Sequence, residues 1–138
     1  MKEKKEIKTI IDTNLWISFL IGRELAELKN LLVEEKITIV ISEQILEEII
    51  VVTKRPKLQK YFPSQKVDEL IKLLQTIGLF INITSEVSLR RDAKDNYLLA
   101  LAKDSNAEFL VTGDQDLLVL GKFELTEIVK CRDLLLRL

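Results

Sequence analysis

The chain has 138 residues, 47% of them hydrophobic, and a formal net charge of −1. This length and apolar content suit one domain over residues 1–138, the charge argues against a protein that coats nucleic acid, and no apolar stretch is long enough to span a bilayer. Histidine is absent and cysteine occurs once, which excludes Ser-His-Asp and Cys-His catalysis, argues against a zinc site and indicates a reducing cytoplasm.

Strand and helix patterns alternate along the chain. Runs rich in Ile, Val and Thr predict strands at KTIID, ITIVIS, LFINI and FLVT, and more weakly at TEIVK. Helical periodicity predicts helices over residues 24–35, 43–53 and 95–105, a helix capped by Ser64, and a last one in CRDLLLRL. This alternation predicts an α/β domain with a mostly parallel sheet, in which sites form beyond the carboxyl ends of the strands.

The first predicted strand ends at an acid, in the stretch TIIDTNLWIS. Asp12 directly follows two isoleucines, and Thr13 and Asn14 come next. The segment DTN is also typical of a turn whose residues cap the following helix. Capping and a functional carboxylate therefore remain about equally open for Asp12 alone.

The second candidate acid lies in SEQILEEII, where Ser42 ends a strand and is expected to cap the helix. Glu48 borders the apolar stripe of this helix, whereas Glu47 points away from it and should be solvated. A carboxylate at the stripe edge can lean over the strand ends. Taken alone, a boundary residue that extends to water is the simpler interpretation.

The third acid lies in RRDAKDNYLLALA. Asp95 falls on the same helical face as Leu98 and Leu99, where an ionised carboxylate is costly unless it is hydrogen-bonded or neutralised. Asp92 as a helix cap with Asp95 three residues later resembles a capping box. That interpretation explains Asp92 better than Asp95.

The fourth stretch is LVTGDQDLLVL. A predicted strand ends at Thr112, Gly113 permits a tight turn, and Asp114 and Asp116 follow. One aspartate can cap the next short helix, which leaves the other unexplained. Acids gathered at one sheet edge repel one another unless a hard divalent cation joins them, and oxygen ligands favour Mg²⁺ or Mn²⁺.

These motifs together resemble the PIN-domain family. The resemblance runs from IIDTNLWIS through ISEQILEEI and RDAKDNYLLALA to LVTGDQDLL, and EEIIVVTKRPKLQKYF resembles the subgroup of VapC-like toxin components of toxin-antitoxin systems. It implies a three-layer α/β/α sandwich and a metal-dependent ribonuclease. For toxin members it also implies homodimers and a cognate antitoxin protein.

The family's acidic motif maps onto four residues: Asp12, Glu48, Asp95 and Asp114. The resemblance further implies Asp116 as an acid near the metal, Thr112 as the small polar residue beside the last acid, and Asn14 after the first acid. Asp92 matches an acid of the subgroup whose role we do not assign. Ala93 departs from the pattern, because many relatives have proline there.

We therefore expect one or two Mg²⁺ or Mn²⁺ ions among the acids, activating water to hydrolyse single-stranded RNA. Asp12, Asp95 and Asp114 would be ligands, directly or through water. Glu48 would serve a second ion or a water, and Thr112 would orient a ligand. The expected substrate-binding residues are Arg90, Arg91 and Lys94. Weaker candidates are Lys54, Arg55, Lys57 and Lys60, with Tyr61, Phe62 and Trp16 for base stacking, although Trp16 fits the core better.

Two other functions are open to this sequence. A phosphotransfer domain also places Asp at strand ends, but Asp12 follows two isoleucines, LFINIT ends without an acid, and Asn14 stands where such phosphatases need a second Asp. A PIN-fold scaffold or RNA-binding module without catalysis is the alternative from a different class. The intact acids argue against it.

Overall fold

The computed structural model describes residues 7–21, 37–89 and 93–137. The strands are β1 Lys8–Ile11, β2 Thr38–Ile41, β3 Leu79–Phe80, β4 Phe109–Val111, β5 Lys122–Phe123 and β6 Thr126–Val129. The helices are α1 Thr13–Ile21, α2 Glu43–Thr53, α3 Ser64–Ile77, α4 Ala93–Ser105, α5 Gln115–Leu118 and α6 Cys131–Arg137.

The strands form one six-stranded sheet in the order β3-β2-β1-β4-β6-β5. All neighbours are parallel except β5, which pairs antiparallel with β6. The chain runs outward from β1 to β2 and β3, then returns to β4 and continues to the opposite edge. Right-handed crossovers in these two directions place helices on opposite faces, so the predicted α/β/α sandwich is confirmed. The strand order reverses between β1 and β4, which makes their carboxyl ends the switch point where such sheets bind ligands.

Burial on both faces explains why the central strands are continuous apolar runs. Ile10, Ile11, Leu110 and Val111 are buried at the centre, and so is Trp16 on α1, as the sequence predicted. At the end of α3, a Cβ on Gly78 would lie 2.5 Å from the Leu74 carbonyl oxygen. Glycine therefore allows α3 to run directly into β3.

The sequence predictions depart from the structure at several boundaries. LFINI forms a strand only over its first two residues, and the short antiparallel β5 was not predicted. Ser42 caps α2 as expected, because its side chain accepts a hydrogen bond from the Ile45 amide. Ser64 is the first residue of α3 and not its cap, because Pro63 holds that position. The helix predicted over residues 24–35 lies outside the described residues. Among the residues described, no helix is both long and apolar enough to cross a membrane.

Candidate metal centre

Asp12 and Thr112 meet at the switch point of the sheet. Ile11 and Val111 are register partners at the ends of β1 and β4, and the Asp12 amide continues the ladder by donating to the Val111 carbonyl at 2.9 Å. The next residue on each chain segment turns its side chain to the other. Thr112 Oγ1 donates to Asp12 Oδ2 at 2.8 Å, and both residues are buried.

The other Asp12 oxygen, Oδ1, has two partners among the described residues. The Asn14 amide donates to it at 3.3 Å, so Asp12 does cap the start of α1 and the capping interpretation is partly right. The Lys94 ammonium lies 3.1 Å from the same oxygen. Asn14 contacts Asp12 through its backbone amide. Lys94, which the sequence predicts to bind substrate, therefore contacts this acid, and its role in substrate binding stays a prediction.

Three carboxylates come together beside this pair. One oxygen from each of Asp95, Asp114 and Asp116 lies within 4.8 Å of the others. Asp95 is buried in the first turn of α4, Asp114 is half-buried and Asp116 is exposed. Asp95 has polar contacts of its own, and its Oδ1 atom is buried without a hydrogen bond from the described residues.

Thr112 connects this cluster to Asp12. Its Oγ1 accepts a hydrogen bond from the Asp114 amide at 3.0 Å while donating to Asp12. The Asp114 carboxylate caps α5 by accepting from the Asp116 amide at 2.9 Å. One aspartate of the pair is therefore a cap, as the simpler interpretation proposed, and the cap also brings Asp116 toward Asp114. Gly113 does not have a positive φ, and a Cβ added there would meet no atom within 4 Å. This turn therefore does not require glycine.

Glu48 is held by a tyrosine that the sequence interpretation missed. The Tyr97 hydroxyl donates to Glu48 Oε2 at 3.2 Å, so the Thr13 hydroxyl, 3.4 Å away, must donate to the Tyr97 oxygen. Burial raises the pKa of the Tyr97 phenol well above its usual range, and the charges of Glu48 and Asp12 raise it further against the opposing Thr13 hydrogen bond. Tyr97 is therefore a neutral donor at physiological pH. Tyr97 follows Asp95 by two residues near the start of the same helix, and this closeness in sequence is the signal that could have identified it.

The remaining predicted residues are distributed differently. Asp12 and Glu48 lie outside the group of three mutually close carboxylates. Arg90, Arg91 and Asp92 lie outside the described residues. Phe62 is buried in the core and cannot stack on a base, whereas Tyr61 is 51% exposed. The exposed cations that follow α2 are Lys54, Arg55, Lys57 and Lys60.

The donor set fits a hard divalent cation. Around Mg²⁺ in an octahedron, with oxygen ligands at about 2.0–2.1 Å, adjacent ligands lie about 3 Å apart and opposite ones about 4.2 Å apart. The three carboxylate oxygens lie within 4.8 Å of one another, so adjustment of their side chains can bring them to these spacings. Carboxylates without histidine or cysteine favour Mg²⁺ or Mn²⁺ over zinc. Asp95, Asp114 and Asp116 are thus the described residues best placed to hold such an ion.

Comparison with known proteins shows the family of this chain. The family model described as PIN domain matches residues 8–116. The chain belongs to the PIN-domain family. This PIN-domain chain is 35% identical over 121 residues to an uncharacterised protein of Methanocaldococcus jannaschii, covering 86% of this chain and 77% of that protein.

A solved structure shares the PIN fold of this chain. It is the crystal structure of VapBC2 from Rickettsia felis bound to a DNA fragment from their promoter, with a TM-score of 0.58 and 18% identity. The match covers 88% of this chain and 98% of the matched chain. At this identity the likeness establishes the common fold, and with the family match it confirms the PIN-domain resemblance.

Proposed function

We propose that this PIN-domain protein is a metal-dependent ribonuclease that hydrolyses phosphodiester bonds in single-stranded RNA, and that it is the toxin of a toxin-antitoxin pair. The observation that carries the proposal is the approach of the Asp95, Asp114 and Asp116 carboxylates beside the switch point of the sheet. Membership of the PIN-domain family supports a nuclease. The acidic cluster supports the use of a divalent cation.

Each acid has a role that follows from its position. A bound Mg²⁺ or Mn²⁺ would supply Lewis-acid activation of water and stabilise charge on the phosphoryl oxygens. Asp95, Asp114 and Asp116 would hold the ion. Thr112 fixes Asp12 and the Asp114 backbone relative to each other, and Tyr97 fixes Glu48. Asp12 and Glu48 would then bind a second ion or orient water at the edge of the cluster.

The substrate and partners are also proposals. An anionic RNA needs cations to offset the acids, and Arg90 and Arg91, next to the start of α4, are the residues we assign to this role. A cognate antitoxin is supported by the likeness to VapBC2 from Rickettsia felis, which was solved bound to a DNA fragment from their promoter. We further propose that the protein forms a homodimer, as the toxin subgroup implies. We also propose that it is located in a reducing cytoplasm, which the single cysteine favours.

The nuclease proposal is tested with a labelled, unstructured RNA. We expect cleavage in Mn²⁺, none in EDTA, and a loss of more than about 100-fold in Asp95→Asn and Asp114→Asn, since each variant removes an anionic metal ligand. Asp68→Asn is the matched control, because Asp68 is exposed on α3. Cleavage that survives EDTA or persists in both site variants would contradict the metal mechanism.

One observation favours the alternative of a PIN-fold module that binds RNA without cleaving it. The Lys94 ammonium neutralises the charge of Asp12, and a PIN-fold site that binds no metal would need such a cation beside this acid. The same assay separates the two functions. RNA binding without cleavage in Mn²⁺ across many unstructured RNAs would establish the module and contradict the nuclease.

A further inference from the structure

The most informative contact outside the carboxylate cluster joins Lys94 to Asp12. Their Nζ and Oδ1 atoms are 3.1 Å apart, and the side chains are only 18% and 2% exposed. A charge-assisted hydrogen bond with so little exposure is screened less by water than a surface ion pair. This lysine therefore occupies a defined position in the candidate metal centre.

Asp12 has its hydrogen-bonding capacity committed on both oxygens. Thr112 donates to Oδ2, and the Asn14 amide and Lys94 donate to Oδ1. The first two donors are neutral and can remain when a metal ion binds to a carboxylate. Lys94 carries a positive charge that a divalent ion at Asp12 would replace.

From these contacts we propose that Lys94 is a built-in cation that competes with the divalent ion for Asp12. The first ion would bind to Asp95, Asp114 and Asp116, and Asp12 would become a ligand only when the Lys94 side chain moves away. Lys94 would thereby set the metal concentration at which the full site forms. The inference rests on the proposed metal centre, although it does not depend on RNA being the substrate.

Metal binding measures this competition without an activity assay. Manganese affinity is determined by isothermal titration calorimetry for the wild type, Lys94→Met, Asp12→Asn and the double variant, with folding checked by circular dichroism. We expect Lys94→Met to bind Mn²⁺ about tenfold more tightly, because a close cation no longer opposes the ion. In the Asp12→Asn background, the same lysine substitution should give no gain, since the shared partner is neutral.

Two further variants control for charge and for folding. Lys103→Met removes an exposed lysine from the same helix and should leave the affinity unchanged. Lys94→Gln keeps a polar side chain and should show the same gain in Mn²⁺ affinity. It replaces Lys94→Met if that variant does not fold.

Each result decides the inference. Equal or weaker Mn²⁺ binding by both Lys94 variants would overturn it while leaving the nuclease proposal intact, as would a gain that persists with Asp12→Asn. Absence of Mn²⁺ binding in the wild type and in both Lys94 variants would overturn it together with the proposed metal centre.

Discussion

Thr112 donates a 2.8 Å hydrogen bond to Asp12 although the two residues are 100 positions apart in the chain. The same hydroxyl accepts from the Asp114 amide, so one side chain joins the acidic ends of β1 and β4. A buried hydroxyl with both roles filled has a fixed orientation. Thr112 is therefore the link by which the sheet sets the position of its acids.

Replacing Thr112 with valine tests this link. Thr112→Val keeps the shape of the side chain but leaves Asp12 and the Asp114 amide without their partner, so we expect a loss of about 1–3 kcal/mol in the free energy of unfolding. RNA cleavage should fall by about 10–100-fold. Thr112→Ser, which keeps the hydroxyl, should recover most of both in urea denaturation and cleavage assays. Equal defects in the two variants would show that the Thr112 hydroxyl alone does not account for the loss, and would contradict its role as the link.

Tyr97 provides a second prediction, because its hydroxyl positions Glu48. Tyr97→Phe removes the donor to Glu48 and the acceptor for Thr13, and kcat for RNA cleavage should fall by about 10–100-fold with a smaller change in KM. The control is Tyr61→Phe, which removes an exposed hydroxyl but keeps the aromatic ring that the Lys60 ammonium faces. An unchanged kcat in Tyr97→Phe would remove Glu48 positioning from the mechanism.

Asp104 provides a prediction for stability at low pH. Its carboxylate accepts from the amides of Thr84 and Ser85 and from the Ser85 hydroxyl, tying α4 to the segment after β3. Although desolvation opposes the effect, hydrogen bonds from Ser85 and Thr84 lower the pKa of the Asp104 carboxyl. A carboxyl whose pKa is lowered by folding stabilises the folded state fully at pH values above its unfolded-state pKa, about 3.9. This stabilisation is lost as the pH falls through the pKa of the folded state.

The corresponding variant is Asp104→Ala. At pH 7 we expect it to unfold more easily by roughly 1 kcal/mol, a small effect because the group is partly exposed. The difference from the wild type should shrink as pH drops below about 3.9. Urea denaturation across this pH range measures it, with Asp68→Ala as an exposed control. A difference that stays constant with pH would show that the charge of Asp104 contributes nothing.

The sequence predicted the fold well because the buried parallel strands leave a strong pattern. The apolar runs before Asp12 and Thr112 became the central strands β1 and β4, and adjacency of their carboxyl ends follows from topology. The strand β3 covers only the first two residues of the predicted LFINI strand, and the two-residue β5 is too short for a periodic signal. Their position depends on pairing with β2 and β6, which a local pattern does not contain.

The candidate site was predictable in residue type but not in pairing. Strand ends and helical faces indicated where Asp12, Asp95 and Asp114 lie along the elements. They did not indicate that Lys94 turns toward Asp12 or that Tyr97 reaches Glu48. Both contacts depend on how α4 sits over the sheet and against α2. Tertiary packing decides which side chains meet. The sequence therefore indicates which residues are candidates, and the structure shows which residues they contact.

The position of a bound metal ion tests the central claim most directly. Crystals of the protein soaked in Mn²⁺ would be measured for anomalous scattering, with Asp95→Asn crystals as the control. We predict a peak contacting the carboxylates of Asp95, Asp114 and Asp116, and no such peak in the variant. Manganese bound elsewhere, or no peak at this cluster in wild-type crystals, would contradict the account.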